Sequence, residues 1–331
     1  MSANDIQILL NNLQDISFSG KRILVTGGAG FLGSWMCETI LAKNGAVVCV
    51  DNLSSGRPSN IEEFSRSSRF SLVNYDISQP LEVDGPLDYV MHLASRASPL
   101  EFDQYPLEIL KSNTLGTMNA LEVARKFQTP FLFTSTSEIY GDPSITPTPE
   151  TDRGNVNTIG IRGCYDEAKR AGEAICMAFH REYGIDVRIA RIFNTYGPRM
   201  RNDGYYGRVV PRFIDQALNG RPITIFGDGL QTRSFCYVTD QIEGLIRLAF
   251  TPGLTGKPVN IGNPREITIL DLAKRIYELT RSESALEYQE LPEDDPRRRC
   301  PDITRAKKML NWEPKVDLDT GLCKMIRHVS G

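Results

Sequence analysis

The sequence predicts an α/β fold, a doubly wound parallel sheet followed by a smaller C-terminal lobe. Two observations carry this. Over roughly the first 194 residues, short apolar runs rich in Val, Ile and Leu alternate with longer amphipathic stretches. That rhythm buries strands between two layers of helices. Beyond about residue 195 it dissolves into Gly- and Pro-rich segments such as YGPRMRNDGYYG and LPEDDPRRRCPD. The chain has 331 residues, 40% of them hydrophobic, which is ample for a large core.

The elements follow in order. Residues 1–20, MSANDIQILLNNLQDISFSG, lack a basic lead-in and do not read as a secretory signal. They read as an N-terminal extension, a short amphipathic helix packed on the body or on a partner subunit, with a disordered leader as the alternative. KRILVTG (21–27) is the first strand, and GFLGSWMCETILAKNG (30–45) a helix that stops at Asn44-Gly45. AVVCVDN (46–52), FSLVNYDI (70–77), LDYVMHLAS (87–95), TPFLFTST (129–136) and DVRIARIFN (186–194) continue the strands. Helical patterns are clearest over 106–127 and 165–183. Residues 21–194 thus form one domain. Residues 195–331 form mainly a second lobe, with helices near 208–219, 239–250, 268–281 and 303–310. The chain is expected to return to the sheet near 234–260.

Composition removes several classes of function. A net charge of -3 offers no basic face for nucleic acid, though it permits a local cationic pocket. No apolar run approaches the roughly 18 residues that span a bilayer, so no membrane association is expected. The seven cysteines are odd in number and contain no CxxC pair, which suits reduced thiols in a cytoplasmic protein. His92, His180 and His328 are scattered, so no metal site is expected. Cys164 adjoins Tyr165 but has no histidine nearby in sequence to activate it, and it reads as a packing residue.

VTGGAGFLG joins the first strand to the first helix. Gly28, Gly30 and Gly33 fit GxGxxG, and Gly27, Gly30 and Gly33 fit GxxGxxG. Glycines there allow a tight turn, close approach to a pyrophosphate and tight helix packing. The helix start at Phe31 and Leu32 presents free N–H groups to the anion. Asp51, with Asn52, closes the second strand, where a carboxylate accepts from both ribose hydroxyls and repels a 2′-phosphate. That favours NAD over NADP; the alternative is a plain strand-end turn. Asp76 and Ile77 are placed to flank adenine, and Leu93, Ala94 and Ser95 to line the cofactor with backbone. Together these mark a Rossmann dinucleotide-binding domain.

Tyr165 and Lys169 stand four residues apart in GCYDEAKRAGE and share a helix face. A free phenol is a poor base near neutrality, but a neighbouring ammonium and a bound nicotinamide stabilise phenolate. Tyr165 is then able to take a proton from an alcohol while hydride moves to NAD. YxxxK alone is common by chance. TSTSEIYG (134–141) adds Thr136, Ser137 and Glu138 at the carboxyl edge of the sheet, where open α/β folds bind ligands.

VTGGAGFLG, Asp51, Asn113, TSTSEIYG, Tyr165-x-x-x-Lys169 and FNTYGPRM together resemble the extended short-chain dehydrogenase/reductases that act on nucleotide sugars. The resemblance runs from about residue 20 through nearly the whole chain. Ser137-Glu138 replaces the Asp-Glu typical of 4,6-dehydratases, and serine cannot act as their acid. GNVNTIGIRGCYDEAKR, RIFNTYGPRM, GRVV, QTRSFCYV and DDPRRRCPD are similar to the UDP-glucuronate decarboxylases, also called UDP-xylose synthases. The resemblance implies oxidation at sugar carbon 4, loss of carbon dioxide and re-reduction by the retained cofactor. It implies Tyr165 as acid/base, Lys169 as its tuner and Thr136 as the group orienting the alcohol. Ser137 and Glu138 act near carbon 5. Asn113 belongs to the cofactor site, and Asn194, Arg208, Val210, Arg233 and Arg299 hold the nucleotide sugar. It further implies a homodimer pairing helices 106–127 and 165–183. Cys300 stands where that family usually has lysine, and NDGYYGRVV is longer than its usual loop. A 4,6-dehydratase, a 4-epimerase and a noncatalytic NAD- or nucleotide-sugar-binding scaffold are the alternatives.

Overall fold

The computed structural model describes residues 3–202, 208–292 and 295–330. Seven strands form the central sheet: β1 Arg22–Thr26, β2 Ala46–Asp51, β3 Phe70–Asn74, β4 Tyr89–His92, β5 Phe131–Thr136, β6 Val187–Ile192 and β7 Pro258–Ile261. All pair in parallel, in the spatial order β7-β6-β5-β4-β1-β2-β3. This is the doubly wound sheet that the sequence predicts. The winding reverses between β1 and β4, and a crevice opens beyond their carboxyl ends.

The apolar runs place β1, β2 and β5 almost wholly inside. β3 departs from the expected double cover, since only Phe70 is buried and Ser71–Asn74 are exposed on the sheet edge. β4 ends three residues before the predicted limit. Leu93 N–H still reaches Thr26 O at 3.1 Å and shares itself with the Thr26 hydroxyl (3.2 Å), and the Ala94 N–H turns to that hydroxyl alone (3.2 Å) and leaves the ladder. The single helix predicted over 106–127 is two, Pro106–Asn113 and Leu115–Phe127. Between them Thr114 (φ -109°, ψ -72°) turns its hydroxyl to Leu110 O at 2.7 Å, a local bond that competes with regular helix.

In the second lobe Thr232–Ser234 pairs with Glu266–Thr268 on one side and Arg298–Arg299 on the other. That register sets Arg299 beside Arg233. Helix Val238–Phe250 and β7 carry the chain back to the main sheet. A C-terminal helix, Leu318–Ser330, was not in the predicted set. Its Gly321 weakens the helical signal, yet the residue is needed because the Tyr196 hydroxyl fills the space of a Cβ there. Helix Ala3–Asn12 packs against helix Val238–Phe250, and Leu9 and Leu13 are fully buried. Its Asp5 accepts from the Tyr237 hydroxyl at 2.9 Å and pairs with Lys324. Trp35 Nε1 donates to Pro198 O at 3.0 Å, tying helix Phe31–Ala42 to the segment that follows β6. Among the described residues no helix is long and apolar enough to cross a membrane, and no cluster of metal-ligating side chains occurs.

Candidate active site

A cleft of about 590 Å³ lies over the carboxyl ends of β1, β2, β4 and β5. Its floor is the glycine turn. Gly27 has φ 71°, and a Cβ on it would come within 2.6 Å of Ala94 Cα. A Cβ on Gly33 would overlap Gly27 O. Helix Phe31–Ala42 begins with no side-chain cap at Gly30, so its first N–H groups are left for an anion. Gly30, Phe31, Leu32 and Gly33 all line the cleft.

Asp51 is held by loop N–H groups, Oδ2 by Ala29 at 2.9 Å and Oδ1 by Leu53 at 2.8 Å. Burial raises its carboxyl above the ordinary value, against those two bonds. Asn52, Asp76, Ile77, Leu93, Ala94 and Ser95 continue the wall. A clear turn, an open helix start and a carboxylate at the end of β2 fit a dinucleotide. Asn113 does not line the cleft. It is fully buried in its helix, with Nδ2 donating to Ile109 O at 2.9 Å.

Thr136, Ser137, Glu138, Tyr165 and Lys169 converge at the other end of the same cleft. Burial raises the Tyr165 phenol; Thr136, within hydrogen-bonding reach, pulls it down, and Glu138 and Asp166 push it further up. The Tyr165 ring stacks on Phe102 at 5.2 Å and 16°. Lys169 Nζ donates to Thr134 O at 2.8 Å and lies 6.0 Å from the Tyr165 ring centre. Burial lowers the Lys169 ammonium to about 7. Ser135, grouped with these residues by sequence, points instead to Glu173 Oε1 at 2.6 Å.

A second cavity of about 600 Å³ adjoins the cleft, and Phe102, Glu138, Arg162, Asn194 and Arg208 line both. The two form one trough. Val210, Arg233 and Arg299 stand on the wall of its outer part. Arg233 pairs with Asp295 at 2.7 Å. Arg299 pairs with Glu138, and its Nη2 finds no partner among the described residues. The loop NDGYYGRVV falls largely on 203–207, outside the described residues.

Sequence reasoning missed Arg162, Asp166 and Phe102. Arg162 grips Glu138 from the side opposite Arg299 and stands 3.8 Å from Asp166. Burial alone would raise the Glu138 carboxyl, but Arg162, Arg299 and Arg233 hold it at about 2. Asp166 goes the other way, pushed up to about 7 by burial and then by Glu138. Arg162 was findable, since it precedes Tyr165 by three residues on the same helix face. Phe102 carried no signal, because only the tertiary fold lays the segment after β4 on Tyr165.

Comparison with known proteins agrees with this geometry. The chain is 47% identical over 305 residues to UDP-glucuronic acid decarboxylase 5 of Arabidopsis thaliana, covering 92% of this chain and 88% of the relative. It is 46% identical over 311 residues to UDP-glucuronic acid decarboxylase 1 of Danio rerio, covering 94% and 73%. The structure of UDP-glucuronic acid 4-epimerase from Bacillus cereus, in complex with UDP-glucuronic acid and NAD, superposes with a TM-score of 0.84 at 29% identity, covering 93% and 99% of the two chains. Residues 23–262 match the family model described as NAD dependent epimerase/dehydratase, and with the glycine cradle, Asp51 and the Tyr165–Lys169 pair in one cleft, the chain belongs to the NAD dependent epimerase/dehydratase family.

Proposed function

We propose that this protein decarboxylates UDP-glucuronate to UDP-xylose, using NAD. The observation that carries the reading is Glu138, gripped by Arg162 and Arg299 beside Ser137 on the trough wall. A 4,6-dehydratase needs a carboxylic acid at this place to protonate a departing hydroxyl. Ser137 cannot supply one, Glu138 is an anion at neutral pH, and Asp166 is not on the trough wall.

Bound NAD supplies the hydride acceptor at sugar carbon 4 and later returns the hydride. Tyr165 takes the carbon 4 hydroxyl proton, oriented by Thr136. The neutral phenol that this structure favours would turn more acidic beside the positive nicotinamide of bound NAD, with Lys169 adding to it in its protonated form. The carboxylate at carbon 5 is then β to a ketone. Loss of carbon dioxide leaves an enolate whose oxygen faces Tyr165 and Thr136, donors already in place. Arg208, Arg233 and the open Nη2 of Arg299 offer planar donors to the diphosphate and sugar acid.

UDP-glucuronate labelled at carbon 6 should yield labelled carbon dioxide and UDP-xylose by mass spectrometry; an unlabelled gas phase with the substrate unchanged or epimerised rejects the reading. Tyr165→Phe should still bind NAD while turnover falls about 10³-fold.

Two features extend the proposal. Leu107 (63% exposed), Leu115 and Met118 project from helices Pro106–Asn113 and Leu115–Phe127, an apolar face suited to a homodimer. The seven cysteines are free thiols, which suits a cytoplasmic protein.

A further inference from the structure

In the sheet, β2 and β4 flank β1, so the loops after β2 and β4 form the two lips of the cleft above the glycine cradle. Those lips are tied together. Arg96, after β4, donates Nη2 to Ser54 O at 3.2 Å, after β2. Its Nη1 pairs with Glu101, and its guanidinium lies 4.3 Å over the Tyr105 ring. Arg201, arriving from the second lobe, pairs with the same Glu101 oxygen at 3.3 Å and donates Nη1 to Ser55 O at 3.3 Å. Glu101 is only 5% exposed, so one shielded carboxylate fastens two arginines that each reach across to the β2 lip. Neither Glu101 nor Arg201 lines the cleft.

The geometry points to Arg96, Glu101 and Arg201 as a clasp that retains the reduced cofactor and so determines which product leaves. A dinucleotide seated on Gly27–Gly33 lies beneath these bonds, and its exit requires the Glu101 pairs to part. The chemistry makes retention decisive. UDP-glucuronate and NAD give a UDP-4-keto pentose, carbon dioxide and NADH in balance. Only if NADH stays do its hydride and one proton convert the ketone to UDP-xylose and restore NAD. Loss of NADH at that point strands the ketone as product. The product arm rests on the decarboxylase reading; the retention arm needs only that NAD binds.

The test compares the parent with Glu101→Gln and Arg201→Ala. Each protein is loaded with NADH, chased with excess NAD, and NADH release is followed by fluorescence. Separately, products from carbon 6-labelled UDP-glucuronate are resolved by mass spectrometry. Both variants should release NADH at least about tenfold faster. The share of UDP-4-keto pentose should rise, and first-turnover carbon dioxide should persist. NADH release as slow as the parent's overturns the clasp. Faster release without added ketone overturns its hold on the product. A parent that releases no carbon dioxide sinks the decarboxylase reading while the chase still judges the clasp. If Glu101→Gln does not fold, Arg201→Ala carries the same two measurements, and Arg201→Lys should recover part of the retention.

Discussion

Arg162, Arg299 and Arg233 gather around Glu138 and Asp295 on the trough wall, with Asp166 beside Arg162 but off that wall, and the carboxylates divide the available charge unequally. Glu138 takes both nearest guanidiniums and stays ionised, whereas Asp166 retains a long contact to Arg162 and an Oδ1 without a hydrogen bond among the described residues. Its pKa, near 7 in the fold, exceeds the unfolded value of about 3.9. The folded chain therefore binds the extra proton between those values, and stability falls as pH rises through that window. Asp166→Asn should raise the melting temperature at pH 8 and leave it nearly unchanged at pH 4. Glu138 has the opposite sign. Its pKa is depressed, so its contribution is complete above about pH 4.5 and is lost as pH falls toward 2. Glu138→Gln leaves two buried guanidiniums without their anion, a cost of about 3–5 kcal/mol measurable by urea unfolding at pH 7.

The elements set these residues with little freedom. The turn after β1 admits no side chain at Gly33, because Gly27 O occupies the place of its Cβ. Gly33→Ala must push the helix start away from the strand, which removes the open N–H groups from the anion. NAD affinity, measured by calorimetry, should fall at least about 100-fold. The i, i+4 spacing on helix Gly163–Tyr183 was legible because it depends only on helical geometry. The small sheet that aligns Arg299 with Arg233 was not, since it joins segments far apart in sequence.

At the scale of the whole molecule, the seven-stranded sheet and the segments after residue 195 share one trough. The Trp35–Pro198 bond, the Arg201 contacts and the return of β7 to the main sheet keep them together. The apolar face on Pro106–Asn113 and Leu115–Phe127 remains uncovered in the single chain. If two copies meet there, Leu107→Glu with Met118→Glu should convert a dimer to a monomer by sedimentation velocity, with the melting temperature lowered. A parent already sedimenting as a monomer rejects that assembly.

The sequence by itself determined the doubly wound sheet, the cofactor cradle, Asp51 and the Tyr165–Lys169 pair. Each depends on a local period or a fixed spacing that survives without knowledge of distant contacts. Only the tertiary structure showed that Glu138 sits between two guanidiniums, that Arg162 and Phe102 line the trough, and that Asn113 does not. Charge state depends on which groups surround a carboxylate in space, and here those groups come from residues 162, 233 and 299, brought together by the register of a small sheet and the start of one helix.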